Sequence, residues 1–389
     1  MPTYNLKDIL IYFLKLGYTG FGGPVALAGY MHTDLVERTQ WISEEQYKNG
    51  LALAQLAPGP MATQLCIYLG YVHYGILGAT LCGLAFVLPS FIMVVLLGIA
   101  YKLYGGLSWM QAVFYGVGAA VIGIITISSY KLTVKSIGKF NAKSFQDNWL
   151  LWLFYFISAG ITIVTQTEYV LLFVAAGLIY MLVKSPPIWF QKTGNTVKIN
   201  SVLFFLQIGF WQFESGTLAR IAWFFTKAGA FVFGSGLAIV PFLHGGVVEE
   251  YHWLNEKQFV DAIAVAMITP GPVVITTGFI GYLVAGFPGA CVAALATFLP
   301  CYLITIIAAP HFTKIAKNKS IKAFVDGVTA GVIGALVGAV VIITKRSIED
   351  IPTALIAIAT VLALLYIKKI QEPYIILVAA ILGLMIKSI

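Results

Sequence analysis

Apolar stretches of about 17 to 25 residues recur from Ile9 to Ile386, each close to the roughly 20 that a helix needs to cross a bilayer's hydrocarbon core. Runs such as Leu81 to Ala100 and Ala290 to Ala309 are apolar on every face, whereas a β-barrel strand alternates apolar and polar positions over about ten residues. The spans are therefore helical. With 59% apolar and 10% charged residues, the chain also has too little polar surface to cover a soluble globule of its 389 residues.

The charge pattern excludes other classes. The net charge of +8 comes largely from lysines in short connecting segments, which reads as a topology signal and not as a nucleic-acid footprint. Cys66, Cys82, Cys291 and Cys301 lie in apolar stretches without paired spacing, which argues for packing and against zinc or disulfides. No Walker-type nucleotide motif and no catalytic triad is visible, so neither a primary pump nor a membrane hydrolase is indicated, and no cofactor is implied. The N-terminus, Met1 to Leu10, lacks the basic stretch and apolar core of a cleavable signal.

The chain repeats itself. Phe13, Lys15 and Gly17 recur as Phe225, Lys227 and Gly229, a shift of 212 residues; at the same shift His32, Glu37, Trp41 and Gln46 recur as His244, Glu249, Trp253 and Gln258. Pro58-Gly59-Pro60 matches Pro270-Gly271-Pro272, and after a one-residue deletion Leu88-Pro89 matches Leu299-Pro300. Residues 1–184 form the first repeat, 185–215 a linker, and 216–389 the second repeat.

Cytoplasmic loops collect lysine, and the two repeats collect it at opposite positions. The first half carries Lys131, Lys135, Lys139 and Lys143 after its fourth apolar segment; the second carries Lys314, Lys317, Lys319 and Lys322 after its third. The halves are therefore expected to be inverted. Six segments per half would leave them parallel, so the short run Val202 to Phe213 is required as a further crossing. The expectation is an all-α polytopic membrane protein with about 13 transmembrane segments in two inverted-topology repeats and Gly/Pro-broken helices. It sits in the cytoplasmic membrane, N-terminus inside and C-terminus outside.

Tyr47 to Tyr71 holds Pro58-Gly59-Pro60 at its centre, and Gln258 to Tyr282 holds Pro270-Gly271-Pro272, so neither can be one continuous helix. Phe21-Gly22-Gly23-Pro24 and Phe233-Gly234-Ser235-Gly236 interrupt the first apolar segment of each half. A helix restarting inside the membrane exposes unpaired N–H groups and partial positive charge, which suits an anion. Thr63 and Gln64 after the first break, and Thr276 and Thr277 after the second, add hydroxyl and amide donors. Lys15 and Lys227 are candidate counter-ions for a dianion, with snorkelling to the interface as the alternative. Asp261, aligned with Asn49, could carry a coupling proton or mark a helix end. His32 with Glu37, and His244 with Glu249, could form a proton relay or a metal site, although their loops read more easily as interfacial connections anchored by Trp41 and Trp253. The bland reading of each PGP is a kink packed against a neighbouring helix.

Gly17-Tyr-Thr-Gly-Phe-Gly-Gly-Pro24, Gln55-Leu-Ala-Pro-Gly-Pro-Met-Ala-Thr-Gln64, Tyr68-Leu-Gly-Tyr71, Ile268-Thr-Pro-Gly-Pro272 and Phe279-Ile-Gly-Tyr282 together resemble the chromate ion transporter family in its two-domain form. The resemblance covers nearly the whole chain. It implies a secondary transporter, not an enzyme, that exports chromate, an oxyanion similar to sulfate in shape and charge, and so confers chromate resistance. Gly234-Ser235-Gly236 departs from Gly22-Gly23-Pro24, so the two half-sites need not bind equally. Sulfate uptake or a passive anion channel remain competing readings, and the sequence leaves the oligomeric state open, a homodimer included.

Overall fold

The computed structural model describes residues 4–167, 169–187, 216–232, 236–312, 318–348, 350–367 and 371–387. The crossing expected at Val202 to Phe213 lies outside these residues, as do Lys314, Lys317 and the break residues Phe233, Gly234 and Ser235. Every regular element among the described residues is helical. The first half contains α1 (Leu6–Thr19), α2 (Gly23–His32, running into a π-turn Thr33–Arg38), α3 (Glu44–Leu56), α4 (Met61–Tyr104), α5 (Ser108–Ser136), α6 (Ala142–Asp147), α7 (Trp149–Thr165) and α8 (Val170–Lys184). The second contains α9 (Thr217–Ala230), α10 (Val240–His244, running into a π-turn Gly245–Glu250), α11 (Glu256–Ile268), α12 (Thr276–Ala308), α13 (Lys319–Ser347), α14 (Ile351–Tyr366) and α15 (Glu372–Lys387). Met61–Tyr104, Ser108–Ser136, Val273–His311 and Lys319–Ser347 are long and apolar enough to cross a membrane.

The six membrane segments of each half are of two kinds. Ser43 caps α3 in a reciprocal box with Gln46, and α3 stops where Pro58 and Pro60 each lack an N–H to continue the ladder. The chain then returns alongside α3: a Cβ on Gly50 would meet Tyr68 and Leu65, and the Gln46 amide lies 3.2 Å from His73. Residues 44–74 are thus a re-entrant hairpin with the PGP at its tip. At Gly75 (φ +57°) the chain reverses again, and residues 76–104 run back past the 61–74 arm, the Cys66 thiol donating to the Cys82 carbonyl (3.2 Å). Gly286 (φ +63°) makes the same reversal in α12. The segment α1–α2 also returns to where it began, because Tyr4 stacks on Trp41 and hydrogen-bonds His73. Among the described residues, α4 after Gly75, α5, α7 and α8 traverse the molecule, with their counterparts in the second half.

The halves interlock. Residues 76–104 and 287–308 pack antiparallel, with the Thr80 and Tyr302 hydroxyls 2.6 Å apart and the Phe91 and Phe287 rings at 6.4 Å. α13 lies along α7 and α8 of the other half, and α5 along α14 and α15. Small residues permit this in lipid, where association depends on close packing: a Cβ on Gly334 would strike Tyr155, and one on Gly123 would strike Ala357 and Thr360. In these contacts α8 ends at the face where α13 begins, beside Gly327, whereas α9 begins near Tyr251 and the π-turn that meets the far end of α13. Lys184 and Thr217 therefore lie at opposite ends of the bundle, as do Leu6 and Lys387.

Candidate functional site

The two PGP tips meet the other half's first break at the centre of the molecule. Gly59 N–H donates to the Val232 carbonyl (2.5 Å), and Gly271 N–H donates to the Gly20 carbonyl (2.8 Å). These bonds are the same bond twice, since Gly59 and Gly271, like Gly20 and Val232, are 212 residues apart. Both glycines have positive φ (+133° and +96°) and both face the opposite half: an added Cβ would lie 2.3 Å from Cys301 Cβ at Gly59 and 2.1 Å from Ser90 Oγ at Gly271. A larger residue would be strained by the backbone and excluded by the neighbour.

The restarting helices differ between the halves. In the first, the arm from Met61 begins directly after Pro60, whose side chain cannot cap it. Met61, Ala62, Thr63 and Gln64 are all buried. Gln64 donates from Nε2 to the Pro58 carbonyl (2.6 Å), while its Oε1 and the Thr63 hydroxyl find no partner among the described residues. Thr63 lines, with Thr80 and Tyr302, a largely apolar crevice of about 570 Å³ between residues 76–104 and 287–308. In the second half a 3-10 turn, Val273–Ile275, intervenes after Pro272, and Thr276 and Thr277 donate to the Val273 (2.7 Å) and Val274 (3.1 Å) carbonyls. Buried polar groups are nearly always partnered, so the unpartnered set marks the first half as the place with unused hydrogen-bonding capacity, of which the Thr63 hydroxyl can donate whereas Gln64 Oε1 only accepts. Gly22 is exposed and Phe21, Gly23 and Pro24 are half-buried, whereas Gly236 is buried.

The lysines are not there. Lys15 is exposed, off the buried stripe of Ile9, Phe13 and Leu16, and Lys227 is half-buried with its ammonium over the Trp223 ring (5.6 Å). Their apolar neighbourhood in sequence does not bring them to the crossing, because the helix face they occupy points outward.

The acidic residues form separate sites. Asp261 on α11 is 2% exposed, accepts a hydrogen bond from the Tyr101 hydroxyl (2.7 Å), and lines a cavity of about 730 Å³ with Lys257, Arg346 and Asp350. His32 lies 3.2 Å from Glu37 and 2.9 Å from Glu44 at the membrane end of α3. In the equivalent place His244 lies 3.0 Å from Glu256, and the Arg346 guanidinium bridges Glu249 and Glu256 while also bonding Gln166. His244, Glu249 and Glu256 offer ligand atoms within 4.8 Å of one another, but Arg346 already occupies the position between the carboxylates that a metal would need. Burial works to raise the Glu256 carboxyl, yet His244 and Arg346 outweigh it and hold the group below its ordinary value. Sequence reasoning missed Glu44, Glu256, Arg346, Tyr101, Ser90 and Cys301. The repeat register could have found the matched pair Glu44 and Glu256, and Ser90 and Cys301, each following a matched Leu-Pro.

Re-entrant hairpins crossing at the centre of a duplicated, all-helical bundle, with uncapped helix starts between them, define a polytopic membrane transporter. The comparisons name its kind: the chromate transporter family model matches residues 7–181 and 219–384, and the chain belongs to that family. It is 61% identical over 383 residues to a chromate transport protein of Cupriavidus metallidurans, covering 98% of this chain and 94% of the relative. It is 58% identical over 389 residues to a probable chromate transport protein of Synechococcus elongatus, covering 100% and 97% respectively. An uncharacterized transporter of Bacillus subtilis, 26% identical over 165 residues, covers 42% of this chain, with 80% of its own length aligned. No solved structure matches.

Proposed function

We propose that the chain exports chromate across the cytoplasmic membrane as a secondary transporter, moving by alternating access around the crossed breaks. The observation that carries the site is the buried, uncapped start of the 61–74 arm with the unpartnered Thr63 hydroxyl and the Gln64 amide beside it. A helix start presents N–H groups and the positive end of its dipole, and an oxyanion accepts from both. Antiparallel packing of equivalent helices supports the inverted reading, because a two-fold axis relating antiparallel spanning helices lies in the membrane plane. Repeats at 1–184 and 216–389, with the N-terminus inside and the C-terminus outside, follow from that axis and the lysine pattern. The relatives' names support chromate; sulfate, of the same shape and charge, is the competing cargo. Asp261, buried with one hydrogen-bond donor and lining the cavity, is the candidate for a coupling proton.

The test is radiolabelled chromate and sulfate flux in proteoliposomes, with and without an imposed pH gradient. Thr63→Val and Gln64→Leu should each raise the KM for chromate about tenfold, the effect of losing roughly 1.4 kcal/mol of hydrogen bonding to a charged group. Normal flux of both anions in folded Thr63→Val and Gln64→Leu proteins would overturn the assignment.

A further inference from the structure

The duplicated chain carries two copies of one charged device, and only one copy is engaged. His244, Glu249 and Glu256 match His32, Glu37 and Glu44 at a shift of 212, and Arg346 near the end of α13 matches Lys135 near the end of α5 at a shift of 211. Arg346 clasps Glu249 and Glu256. Lys135 is exposed, and no ion pair to it is found among the described residues. The surroundings differ in the same sense: side-chain exposure is 1% for His244 against 28% for His32, 21% for Glu249 against 59% for Glu37, and 24% for Glu256 against 49% for Glu44. α11 lies against α5, α13 and α15, whereas its counterpart α3 packs principally on α4 and α12.

Two halves of one architecture, held in unequal conformations about a two-fold axis, have a second arrangement in which each adopts the conformation of the other. The interlocked set α5, α7, α8, α13, α14 and α15 would leave α11 and dock on α3. We infer that Lys135 is the counterpart gate residue: in the opposite-facing state it closes onto Glu37 and Glu44 as Arg346 closes onto Glu249 and Glu256 here. Lys135 lies at the same end of the bundle as those carboxylates, because α5 runs back from Tyr104 toward the Gly75 reversal, where Gln46 meets His73. The two gates are mutually exclusive. This inference rests on the alternating-access reading above, and it adds the residues that hold the second state.

The test uses paired cysteines in a full-length chain whose four native cysteines are replaced by alanine, reconstituted and treated with a short thiol cross-linker. Both Arg346→Cys with Glu256→Cys and Lys135→Cys with Glu44→Cys should cross-link, and each cross-link should cut flux at least about tenfold. Cross-linking of the first pair without the second, in protein undergoing turnover, would overturn the inference. Charge exchange gives an independent measurement in the native-cysteine background: Lys135→Glu should lower flux about tenfold, and adding Glu37→Lys and Glu44→Lys should restore most of it. Wild-type flux in Lys135→Glu would overturn the inference as well. Cross-linking is read by gel mobility, so absence of chromate and sulfate flux in the unsubstituted protein would sink the transport reading while leaving the gate decided on its own evidence.

Discussion

Gly271→Ala is the sharpest test of the crossing. Forcing a Cβ onto a backbone at φ +96° costs about 1–3 kcal/mol for an L-residue. The new methyl would lie 2.1 Å from Ser90 Oγ, so Ser90 must turn away and give up its hydrogen bond to the Pro270 carbonyl (2.7 Å). A buried carbonyl left without its donor adds about 1–3 kcal/mol, and residual overpacking adds about 1 or more. The single substitution should therefore destabilise by about 3–7 kcal/mol. Ser90→Ala alone takes the same donor from the Pro270 carbonyl, and a longer bond from the Gly17 carbonyl (3.4 Å), for about 1–3 kcal/mol. In combination it removes the clashing oxygen and leaves Ser90 Cβ and the Gly17 carbonyl oxygen, each 3.3 Å from the new methyl. Thermal unfolding of purified protein in detergent then gives a change of sign: Ser90→Ala lowers the Tm of the wild type and raises that of Gly271→Ala. If Ser90→Ala lowers both equally, the two halves do not pack at this glycine as described.

Four further outcomes follow. Asp261→Asn should retain chromate exchange but abolish the response of flux to a pH gradient; an undiminished response would remove Asp261 as the coupling group. Thr276→Val and Thr277→Val should leave the chromate KM within about threefold, because both hydroxyls are already committed to their own helix. Arg346→Met removes one of the groups that depress Glu256. The wild-type contribution is complete above the unfolded value of 4.5 and is lost as the pH falls through the lower folded value, so Arg346→Met should lose stability at a higher pH than wild type in detergent melts. Single cysteines at Lys139 and Lys387 should label from opposite sides of the membrane; labelling from one side would refute the inverted topology.

Much of this was legible in the chain, and what was not has a common cause. Hydropathy reports that Tyr47 to Tyr71 is apolar enough to cross, not whether it goes through or returns, because that depends on Gly50 packing against Tyr68 and on Gln46 reaching His73. A hint was present: 13 residues of α3 are about 20 Å of helix at 1.5 Å per residue, too short for the core alone. The repeat singled out Gly59 and Gly271, which make the same bond twice, but could not say which partner carbonyls they reach. The sequence left Lys15 open between a counter-ion and a snorkelling side chain because an apolar run fixes depth and not helix face; a 3.6-residue periodicity places it beside the exposed Ile11 and Tyr18. Arg346 and Glu256 are 90 residues apart, and no local pattern joins them.

The divergence between the halves bears on which state is seen. Arg346 offers a planar fork to two carboxylates where Lys135 offers a point charge, and the former loses less entropy per hydrogen bond. Tyr101 and Asp261 form a second contact at the same docking surface; at the matched positions stand Phe312 and Asn49, and Phe312 has no hydroxyl to donate. Both differences favour docking on α11 over docking on α3, so the engaged gate in this structure is the one with the stronger chemistry. A tenfold change in the ratio of the two states needs only about 1.4 kcal/mol, within reach of one buried hydrogen bond to a carboxylate. Tyr101→Phe should accordingly raise the yield of the Lys135→Cys, Glu44→Cys cross-link and lower that of Arg346→Cys, Glu256→Cys, the ratio of the two yields shifting by about tenfold. Equal loss of both cross-links would mean that Tyr101 supports the fold without biasing the exchange, and the imbalance would then rest on Arg346 alone.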